Sequence, residues 1–332
     1  MSIQIESSSS QLPDQEIISL WNDSFGPEFQ LGEALWRQNT RNDPSFLPSD
    51  LILARNESGD LLGFALVKIF RDVASHPGED LDKYVGKGYI AAIAVRPEYR
   101  RQGLGRTLLA KAESYLAENG ATQFYVGESF RHFFPGVPAH SPEALGFFTS
   151  AGYELGDFET DLDGPLDPTA FEPALAAARQ VTFRQGQPGE EAALLSFLRR
   201  SFPGRWHYDT RLFLEQEGRM EDVSLVLDMQ SQIQGFLLSY QPGGKIIGPG
   251  RFWLHDKPEW GGIGPLGLSE ETRGLGAGLG VVAAGMRHLH QAGLKFARID
   301  WTALVDFYGR LGFQPSLTYQ RASKSFVPKV EG

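Results

Sequence analysis

The chain has 332 residues, a formal net charge of −10 at pH 7 and no cysteine. Its length favours two domains, and 41% hydrophobic with 22% charged residues is the composition of an ordinary globular protein. The acidic balance argues against nucleic acid as the main partner, and the lack of cysteine excludes disulfides, thiolate metal sites and an acyl-cysteine intermediate.

The sequence carries no recognisable targeting or membrane segment. Residues 1–11 are polar and Ser-rich, without the basic start and apolar centre of a secretion signal. No apolar run approaches the length of a membrane span. We therefore expect a cytoplasmic protein that has neither nucleic acid nor a membrane as its partner.

The first half of the chain combines short strands with a few helices. Alternating and apolar runs bounded by turn residues predict strands at 3–6, 51–55, 61–70, 89–95, 122–127 and 153–161. Periodic segments predict helices at 16–25, 32–41, 106–119 and 142–151. The mixture of strands and helices is typical of an α+β domain.

The second half repeats this order of elements. Strands are predicted at 181–184, 223–227, 233–240, 264–268, 296–300 and 313–321, and helices at 190–202, 210–217, 279–292 and 304–311. Pro165, Pro168 and Pro173 indicate a linker between the halves, with one turn of helix near its end. We expect domain 1 at 1–160, the linker at 161–179 and domain 2 at 180–332.

One glycine motif occurs in each half. Arg100-Arg101-Gln102-Gly103-Leu104-Gly105 recurs as Arg273-Gly274-Leu275-Gly276-Ala277-Gly278, 173 positions later, and both copies read Arg-x-x-Gly-x-Gly. Each motif opens an Ala/Leu-rich helix that stops at a glycine, Gly120 or Gly293, at the same offset. The constant offset predicts two copies of one domain.

This type of turn can hold a phosphate. The start of a helix leaves backbone N–H groups without intrahelical partners and carries a partial positive charge, and glycines let the backbone approach an anion closely. Arg100, Arg101 and Arg106 add positive charge in the first half, and Arg273 adds it in the second. The alternative is that the glycines only end a loop or permit close helix packing. Neither copy has the spacing of a dinucleotide or Walker motif.

A second motif is also shared by the two halves. Phe147-Phe148 and Phe307-Tyr308 are each followed by three residues, a glycine and an aromatic residue. With the glycine turn, its helix and the next strand in the same order twice, the chain resembles the GCN5-related N-acetyltransferases. The resemblance implies a three-layer α/β/α form of the α+β class. It implies two tandem domains, each with a mixed, mostly antiparallel sheet whose central strand pair splays apart.

The resemblance also implies acetyl-CoA as the co-substrate. In the family, pantetheine adds to the edge of the splayed strand, where a backbone N–H can stabilise the oxyanion, and the pyrophosphate lies in the glycine turn. The matching residues of the first half are Ile93, Ala94, Val95, Arg100, Arg101, Gln102, Gly103, Leu104, Gly105 and Arg106. Those of the second half are Leu266, Gly267, Leu268, Arg273, Gly274, Leu275, Gly276, Ala277 and Gly278. Pro265 removes one N–H from the second strand.

Tyr308 and Asp300 are the candidate catalytic residues. The resemblance implies that Tyr308 protonates the leaving CoA thiolate, and a phenol with an ordinary pKa of about 10 can do so. Asp300, at the end of its predicted strand, is the candidate base for the attacking amine, and Glu128 is its nearest counterpart in the first half. The alternatives are a packed core aromatic for Tyr308 and a solvated or capping carboxylate for Asp300.

The two halves differ at these positions. The first half has Phe148 where the second has Tyr308, but it keeps the more basic turn. We expect catalysis in the second half, and in the first either a second CoA site or a degenerate copy that shapes the acceptor pocket. The halves are expected to form an intramolecular pseudo-dimer.

The leading functional prediction is acetyl transfer to a primary amine of a small molecule. An amino sugar is favoured because the segment around Asp300 is more similar to glucosamine and glucosaminide N-acetyltransferases than to mycothiol synthase. We expect direct attack of the amine in a ternary complex. The alternatives are a mycothiol-synthase-like acetyltransferase and a non-catalytic acyl-CoA sensor.

Two further features of the sequence bear on function. The aromatic segment 130–138 is an insertion relative to the second half. It suits an exposed lid over an acceptor pocket or an interface between the halves, but packing against the linker is the favoured interpretation. His288 and His290, two apart on a predicted helix, face different sides, so no metal site is expected.

Overall fold

The structure is a computed structural model that describes residues 3–9, 12–71 and 80–326. The described chain divides into two compact units. Unit 1 comprises the described residues of Met1–Pro77, Asp82–Glu159 and Thr318–Gly332, and unit 2 those of Gly78–Leu81 and Thr160–Leu317. Buried apolar clusters form a core within each unit.

Strands and helices follow one another along the described chain much as the sequence predicts. The strands are β1 (Ile3–Ser7), β2 (Leu51–Asn56), β3 (Leu61–Ile69), β4 (Lys87–Val95), β5 (Gln123–Val126), β6 (Val137–Pro138), β7 (Glu154–Pro165), β8 (Thr182–Gln185), β9 (Val223–Leu227), β10 (Ile233–Tyr240), β11 (Trp260–Leu268), β12 (Phe296–Thr302) and β13 (Gln314–Ser325). The helices are α1 (Asp14–Phe25), α2 (Glu33–Asn39), α3 (Leu104–Glu118), α4 (Pro142–Ser150), α5 (Pro168–Ala177), α6 (Glu191–Ser201), α7 (Arg205–Glu215), α8 (Ala277–Gln291) and α9 (Val305–Gly309).

The sheet of unit 1 is mixed and mostly antiparallel. Its order is β1-β2-β3-β4-β5, followed by the last part of β13, which also pairs with β6. β4 and β5 are parallel, and the other pairs described here are antiparallel. β3 is buried along its whole length, as expected for a central strand covered on both faces. One of the covering elements is α3, whose apolar side packs on β3 and β4 through Leu104, Leu108 and Leu116.

The sheet of unit 2 has the same order of pairing. β8, β9, β10, β11 and β12 are neighbours in that order, and the last part of β7 pairs with β12. Here β11 and β12 form the parallel pair. Gly63 of β3 and Gly235 of β10 lie opposite Val95 and Leu268, the last residues of β4 and β11. The repeat seen in the sequence is therefore a repeat in sheet register.

β7 and β13 each pass from one unit to the other. β7 leaves unit 1 after Glu159, and β13 enters unit 1 at Thr318. The strand that pairs with β5 thus comes from the C-terminal part of the chain, and the strand that pairs with β12 comes from its middle. The compact units are discontinuous and do not coincide with the contiguous ranges 1–160 and 180–332, because sequence patterns identify a strand but not the edge to which it hydrogen-bonds.

The segment predicted as a linker is largely regular structure in unit 2. It contains the end of β7 and the ten-residue helix α5. Pro168 occupies the first turn of α5, and the Asp167 carboxylate accepts a hydrogen bond of 2.8 Å from the Thr169 N–H, which caps the helix. Pro173 lies inside the helix because Phe171 and Leu175 pack on the core around α8 and offset its cost.

The aromatic segment 130–138 is largely buried and forms no exposed lid; it packs on the helices of unit 1 and not on the predicted linker. Phe133 and Phe134 are 1% and 4% exposed. Both rings pack against Trp21 of α1, and Phe133 also stacks on Trp36 of α2. The inserted residues complete the core of unit 1 between the helices and the sheet.

Candidate functional site

In each unit the parallel strand pair separates partway along its length. β4 pairs with β5 as far as Ile90 and Val126, and β11 pairs with β12 as far as Ile263 and Ile299. β4 and β11 continue past that point while still paired on their other side with β3 and β10. The three-residue stretches 93–95 and 266–268, predicted to bind pantetheine, lie on these diverging ends.

A glycine in the left-handed conformation precedes each helix that follows the diverging strand. Gly103 has φ 87° before α3, and Gly276 has φ 79° before α8. A side chain is disfavoured at such φ values, so glycine suits both turns. The first N–H groups of α3 and α8 have no intrahelical acceptor and are positioned to bind an anion.

The second glycine of each motif brings the turn against the aromatic motif. A Cβ added to Gly105 would lie 3.4 Å from the Phe147 ring, and one added to Gly278 would lie 3.3 Å from the Phe307 ring. The same two positions also approach Val95 and Leu268 at 3.7 Å. These glycines therefore permit close packing among the turn, the strand end and the aromatic helix in both units.

The arginines of the turns differ in their contacts. Arg100 donates from Nε to the Val95 carbonyl at 2.9 Å, which fixes the end of β4. Arg106 donates to the Ser150 hydroxyl at 3.3 Å, and Arg101 is exposed with φ 61°. In unit 2, Arg273 forms an exposed ion pair with Glu270 at 3.3 Å. The turn of unit 1 thus has the larger positive charge.

The two turns also differ in how much of their own chain covers them. Among the described residues, nothing lies within 4 Å of a Cβ placed on Gly103. A Cβ on Gly276 would lie 3.2 Å from the Ala178 Cα, and the Arg179 N–H donates to the Leu275 carbonyl at 2.9 Å. The segment after α5 therefore lies against the second turn, and the first turn is more open.

The remaining residues assigned to cofactor binding line the same strand ends and turns. Gln102 donates to the Glu98 carbonyl at 3.1 Å, and Leu104 is buried in the core. A Cβ on Gly267 would clash with Phe202, so the aromatic ring packs directly on the diverging strand of unit 2. The other members of this group are Ile93, Ala94, Leu266, Gly274 and Ala277.

Tyr308 and Phe148 occupy equivalent positions in the two units. The Tyr308 carbonyl accepts from the N–H groups of Leu311 and Phe313, three and five residues later. The Phe148 carbonyl accepts in the same pattern from residues 151 and 153. Each ring also forms an edge-to-face pair with the preceding Phe. The hydroxyl is thus the difference between two matched positions.

Asp300 lies where β11 and β12 separate. A Cβ placed on Gly264 of β11 would lie 3.6 Å from the Asp300 carboxylate oxygen Oδ1. Burial, and then the charge of Asp161, raise the pKa of Asp300 to about 8. Burial, and then the charge of Asp300, raise the pKa of Tyr308 to about 12. The structure therefore places both residues in one electrostatic environment, with a carboxyl that titrates near neutral pH and a phenol that stays protonated there.

Asp161, Trp301 and Arg205 were not identified from the sequence. The Trp301 N–H donates to Asp161 Oδ1 at 3.0 Å, and the Arg205 guanidinium lies 4.7 Å from the centre of a Trp301 ring. Arg205 also pairs with Asp209 at 3.1 Å. Asp161 lay at the junction of the predicted strand 153–161 and the predicted linker 161–179, and the sequence did not indicate that it would face β12. The Asp-x-Asp alternation at positions 161 and 163 was the available signal.

Glu128 does not occupy the position expected for a base in unit 1. Its carboxylate accepts two hydrogen bonds from Arg321, of 3.0 Å and 2.6 Å. The left-handed φ of Glu128 matches that of Trp301, which is the residue 173 positions later. The equivalent of Asp300 in unit 1 is therefore Gly127, which has no carboxylate.

The described part of the chain contains neither a candidate metal cluster nor a candidate membrane-spanning helix. Among residues 3–9, 12–71 and 80–326, no group of three or more His, Cys, Asp or Glu side chains is arranged to hold a metal ion. Within the same residues, no helix has both the length and the apolar character needed to cross a membrane. His288 instead contacts Asp222 at 3.2 Å and Gln241 at 3.0 Å.

Sequence comparison finds acetyltransferases that are similar to this chain. Residues 15–135 match the model of the acetyltransferase (GNAT) family. The mycothiol acetyltransferase of Streptomyces bingchenggensis (strain BCW-1) is 28% identical over 268 residues, which cover 79% of this chain and 77% of the relative.

Solved structures share the fold over the whole chain. A GCN5-related glucosamine N-acetyltransferase region of a fungal multi-domain GH3 beta-N-acetylglucosaminidase matches with a TM-score of 0.83 and 24% identity. The match covers 97% of this chain but 38% of that one, so this chain spans well under half its length. A tandem GNAT protein from the clavulanic acid biosynthesis pathway matches with a TM-score of 0.65 and 15% identity, over 99% of this chain and 100% of that one.

Residues 15–135 thus match the acetyltransferase (GNAT) family, and the matched glycine turns, the diverging strands and the solved structures show that the chain has the fold of a tandem protein of two such domains, with acetyltransferases as its relatives in sequence.

Proposed function

We propose that the chain transfers the acetyl group of acetyl-CoA to a primary amine of a small molecule, with an amino sugar favoured. The reaction is direct attack in a ternary complex, because no cysteine is present to carry an acyl intermediate. The observation that carries the proposal is the Asp300–Tyr308 pair at the diverging strands of unit 2. The cytoplasmic location and the pseudo-dimer of the halves stay predictions.

The diverging strands and glycine turns suit acetyl-CoA. The separated end of each parallel strand leaves backbone groups along one edge, and a left-handed glycine opens the helix that follows it. Bound there, acetyl-CoA would supply the activated acetyl group. The backbone edge binds an extended chain by strand addition, and the helix start binds a pyrophosphate.

Asp300 and Tyr308 provide the proton transfers. Asp300 accepts the proton that the acceptor's ammonium must lose before its nitrogen attacks the thioester carbon. As the C–N bond forms and the C–S bond breaks, Tyr308 donates its phenolic proton to the leaving thiolate. The acylated nitrogen then gives its second proton to the Tyr308 phenolate, so that the amide and the CoA thiol leave and Asp300 releases the first proton to solvent. A carboxyl with a pKa of about 8 is a stronger base than an ordinary aspartate, which matches it to an amine.

Unit 2 is the proposed catalytic unit. Unit 1 has Phe148 and Gly127 in the positions of Tyr308 and Asp300, so it lacks both proton-transfer groups. Its segment after β5 is also folded into an aromatic core with Phe133 and Phe134 buried. Unit 1 keeps the open, basic turn and is proposed as a second acyl-CoA site.

An amino sugar is favoured as the acceptor by the side chains around Asp300. Asp161 and Asp300 suit a cationic amine, and the half-buried Trp301 indole lies beside them with the Arg205 guanidinium 4.7 Å from one of its ring centres. The second candidate acceptor is that of the mycothiol acetyltransferases, and it is supported by the 28% identity over most of the chain.

The test is thiol release from acetyl-CoA with a panel of amines that includes glucosamine, aminoglycosides, polyamines, peptide N-termini and the mycothiol acetyltransferase acceptor. Tyr308→Phe removes one hydroxyl from a buried ring, and we expect kcat to fall about 10²–10⁴-fold, the usual range for loss of a general acid. The KM for acetyl-CoA should change little. Tyr153→Phe, which removes another buried hydroxyl, serves as the matched control and should keep full activity.

Two outcomes would contradict the proposal. Full activity of Tyr308→Phe across the pH range would remove Tyr308 as the acid. Tight binding of acetyl-CoA without turnover for any amine in the panel would favour an acyl-CoA sensor instead of an enzyme acting on these acceptors.

A further inference from the structure

A β-bulge lies at the proposed catalytic carboxylate. β12 and β7 are antiparallel, and Ile299 is opposite Leu162 while Thr302 is opposite Thr160. Two residues of β12, Asp300 and Trp301, therefore face one residue of β7. A bulge of this type changes the direction of the side chains on the longer strand, and such bulges are common beside active sites.

Asp161 is the residue of β7 opposite the bulge. Its carboxylate Oδ1 accepts the Trp301 N–H at 3.0 Å, and its backbone carbonyl accepts the Ser316 hydroxyl at 3.1 Å. Trp301 has φ 47°, which is unfavourable for a residue with a side chain. The Asp161 carboxylate thus accepts the N–H that would otherwise bond to a backbone carbonyl of the neighbouring strand, and it stabilises Trp301 in its strained conformation.

The groups around Asp300 come from several elements. β7 contributes Asp161 and α9 contributes Tyr308. α7 contributes Arg205, which is paired with Asp209, and β12 contributes Arg298. Arg298 in turn forms a bidentate pair with Asp163 of β7, at 2.6 Å and 2.8 Å. Asp161 is the carboxylate in this set that raises the basicity of Asp300, while the two arginines oppose it.

We propose that Asp161 is a positioning residue for the reaction: its carboxylate holds the bulge that directs Asp300 towards the separated strands, and its negative charge makes Asp300 basic enough to deprotonate an ammonium. The inference rests on the proposed function, since it assigns Asp300 the role of base. The two carboxylates attract positive charge, so the acceptor enters as an ammonium cation and loses its proton to Asp300 afterwards.

Asp161→Asn separates the two roles of Asp161. The amide oxygen still accepts the Trp301 N–H, but the charge is gone. In the wild-type protein, kcat/KM for the amine should fall as the pH drops through the pKa of Asp300. In Asp161→Asn this fall should move to lower pH by about one unit or more, the effect of removing a nearby like charge. The rate at high pH should drop several-fold, because Asp300 becomes a weaker base.

The matched control is Asp167→Asn, in the same unit. It removes one carboxylate charge from the half-exposed cap of α5, where asparagine caps equally well, so the pH profile should not move. Asp161→Ala removes both the charge and the acceptor, and it should lose more activity than Asp161→Asn.

A second measurement does not depend on turnover. The ¹³C carboxyl signal of Asp300, assigned by its loss in Asp300→Asn, reports the titration directly. A lower midpoint in Asp161→Asn supports the inference, and an unchanged midpoint overturns it. If the midpoint moves but no amine supports thiol release, or Asp300→Asn keeps full activity, the proposed function fails while the electrostatic role of Asp161 stands.

Discussion

The proposed base is a residue that the fold holds at an energetic cost. Asp300 is partly buried beside Asp161, and both effects raise its pKa to about 8. The sequence singled out Asp300 and Tyr308 as candidates, because a strand end and an aromatic motif are local patterns. It was not sufficient for Asp161 and Trp301, since the bulge that joins them depends on the register between strands far apart in sequence.

Asp300→Asn should make the protein more stable at pH 8. The folded state keeps the Asp300 proton up to about pH 8, whereas the unfolded chain releases it near about pH 4. The folded state therefore binds more protons between these values, and its stability falls as the pH rises through this window. Asparagine cannot ionise, so we expect a gain of about 1–3 kcal/mol at pH 8 and little at pH 4.

Urea unfolding at pH 4, 6 and 8 measures this difference. Asp306→Asn, an exposed position on α9, is the matched control and should follow the wild-type protein. Parallel stability curves for the wild-type protein and Asp300→Asn over this range would show that Asp300 has an ordinary pKa.

At the scale of elements, α5 and α8 differ most from what their sequences suggest. The prolines of α5 indicated a linker, but its Asp167–Pro168 start is a helix cap and its apolar residues pack on α8. α8 is buried on most of its sides, including Gly280 and Gly285, where α3 has an exposed side. The sequence shows that α8 is apolar on most of its sides, but it does not show that α5 covers it. The prolines of α5 suggested a linker, and tertiary contacts override the tendency of proline to end a helix.

Phe171→Ala should weaken unit 2 strongly. Phe171 is 1% exposed, and its ring lies 5.7 Å from the His290 ring of α8. Removing a buried Phe usually costs about 3–5 kcal/mol. We expect a lower free energy of unfolding and faster amide exchange in α8. Glu172→Ala, at the neighbouring exposed position, should change neither. A loss below about 1 kcal/mol in Phe171→Ala would mean that α5 is only loosely attached.

At the scale of the whole molecule, the chain is a duplication in which each unit is built from separate stretches of the sequence. The order of the strands along the chain, the two glycine turns and the two aromatic motifs could be predicted from the sequence and its 173-residue repeat. The exchange of β7 and β13 between the units could not be predicted from the repeat, because the apolar pattern of a strand does not depend on which strand it pairs with. Two ion pairs join β13 to earlier parts of unit 1, one between Arg321 and Glu128 and one between Lys324 and Glu113.

Fragments cut at different places should therefore behave differently. Residues 160–317 carry every strand and helix described for unit 2, and we expect this fragment to unfold cooperatively. Residues 180–332, the domain expected from the sequence, lack α5 and the part of β7 that pairs with β12. This second fragment should bind a hydrophobic dye and aggregate, since α8 and the edge of β12 are uncovered. Equal cooperativity of the two fragments would contradict the assignment of β7 and α5 to unit 2.

The path of β13 has a consequence for the order of folding during synthesis. Chains emerge from the ribosome N-terminus first, and domains commonly fold in that order. Here the strands of unit 2 have all been made by residue 317, whereas β5 of unit 1 must wait for residues 323–325. The half that is translated first is completed last. Until residues 323–325 have emerged, β5 presents an open edge, the kind of surface that chaperones protect and neighbouring chains can pair with.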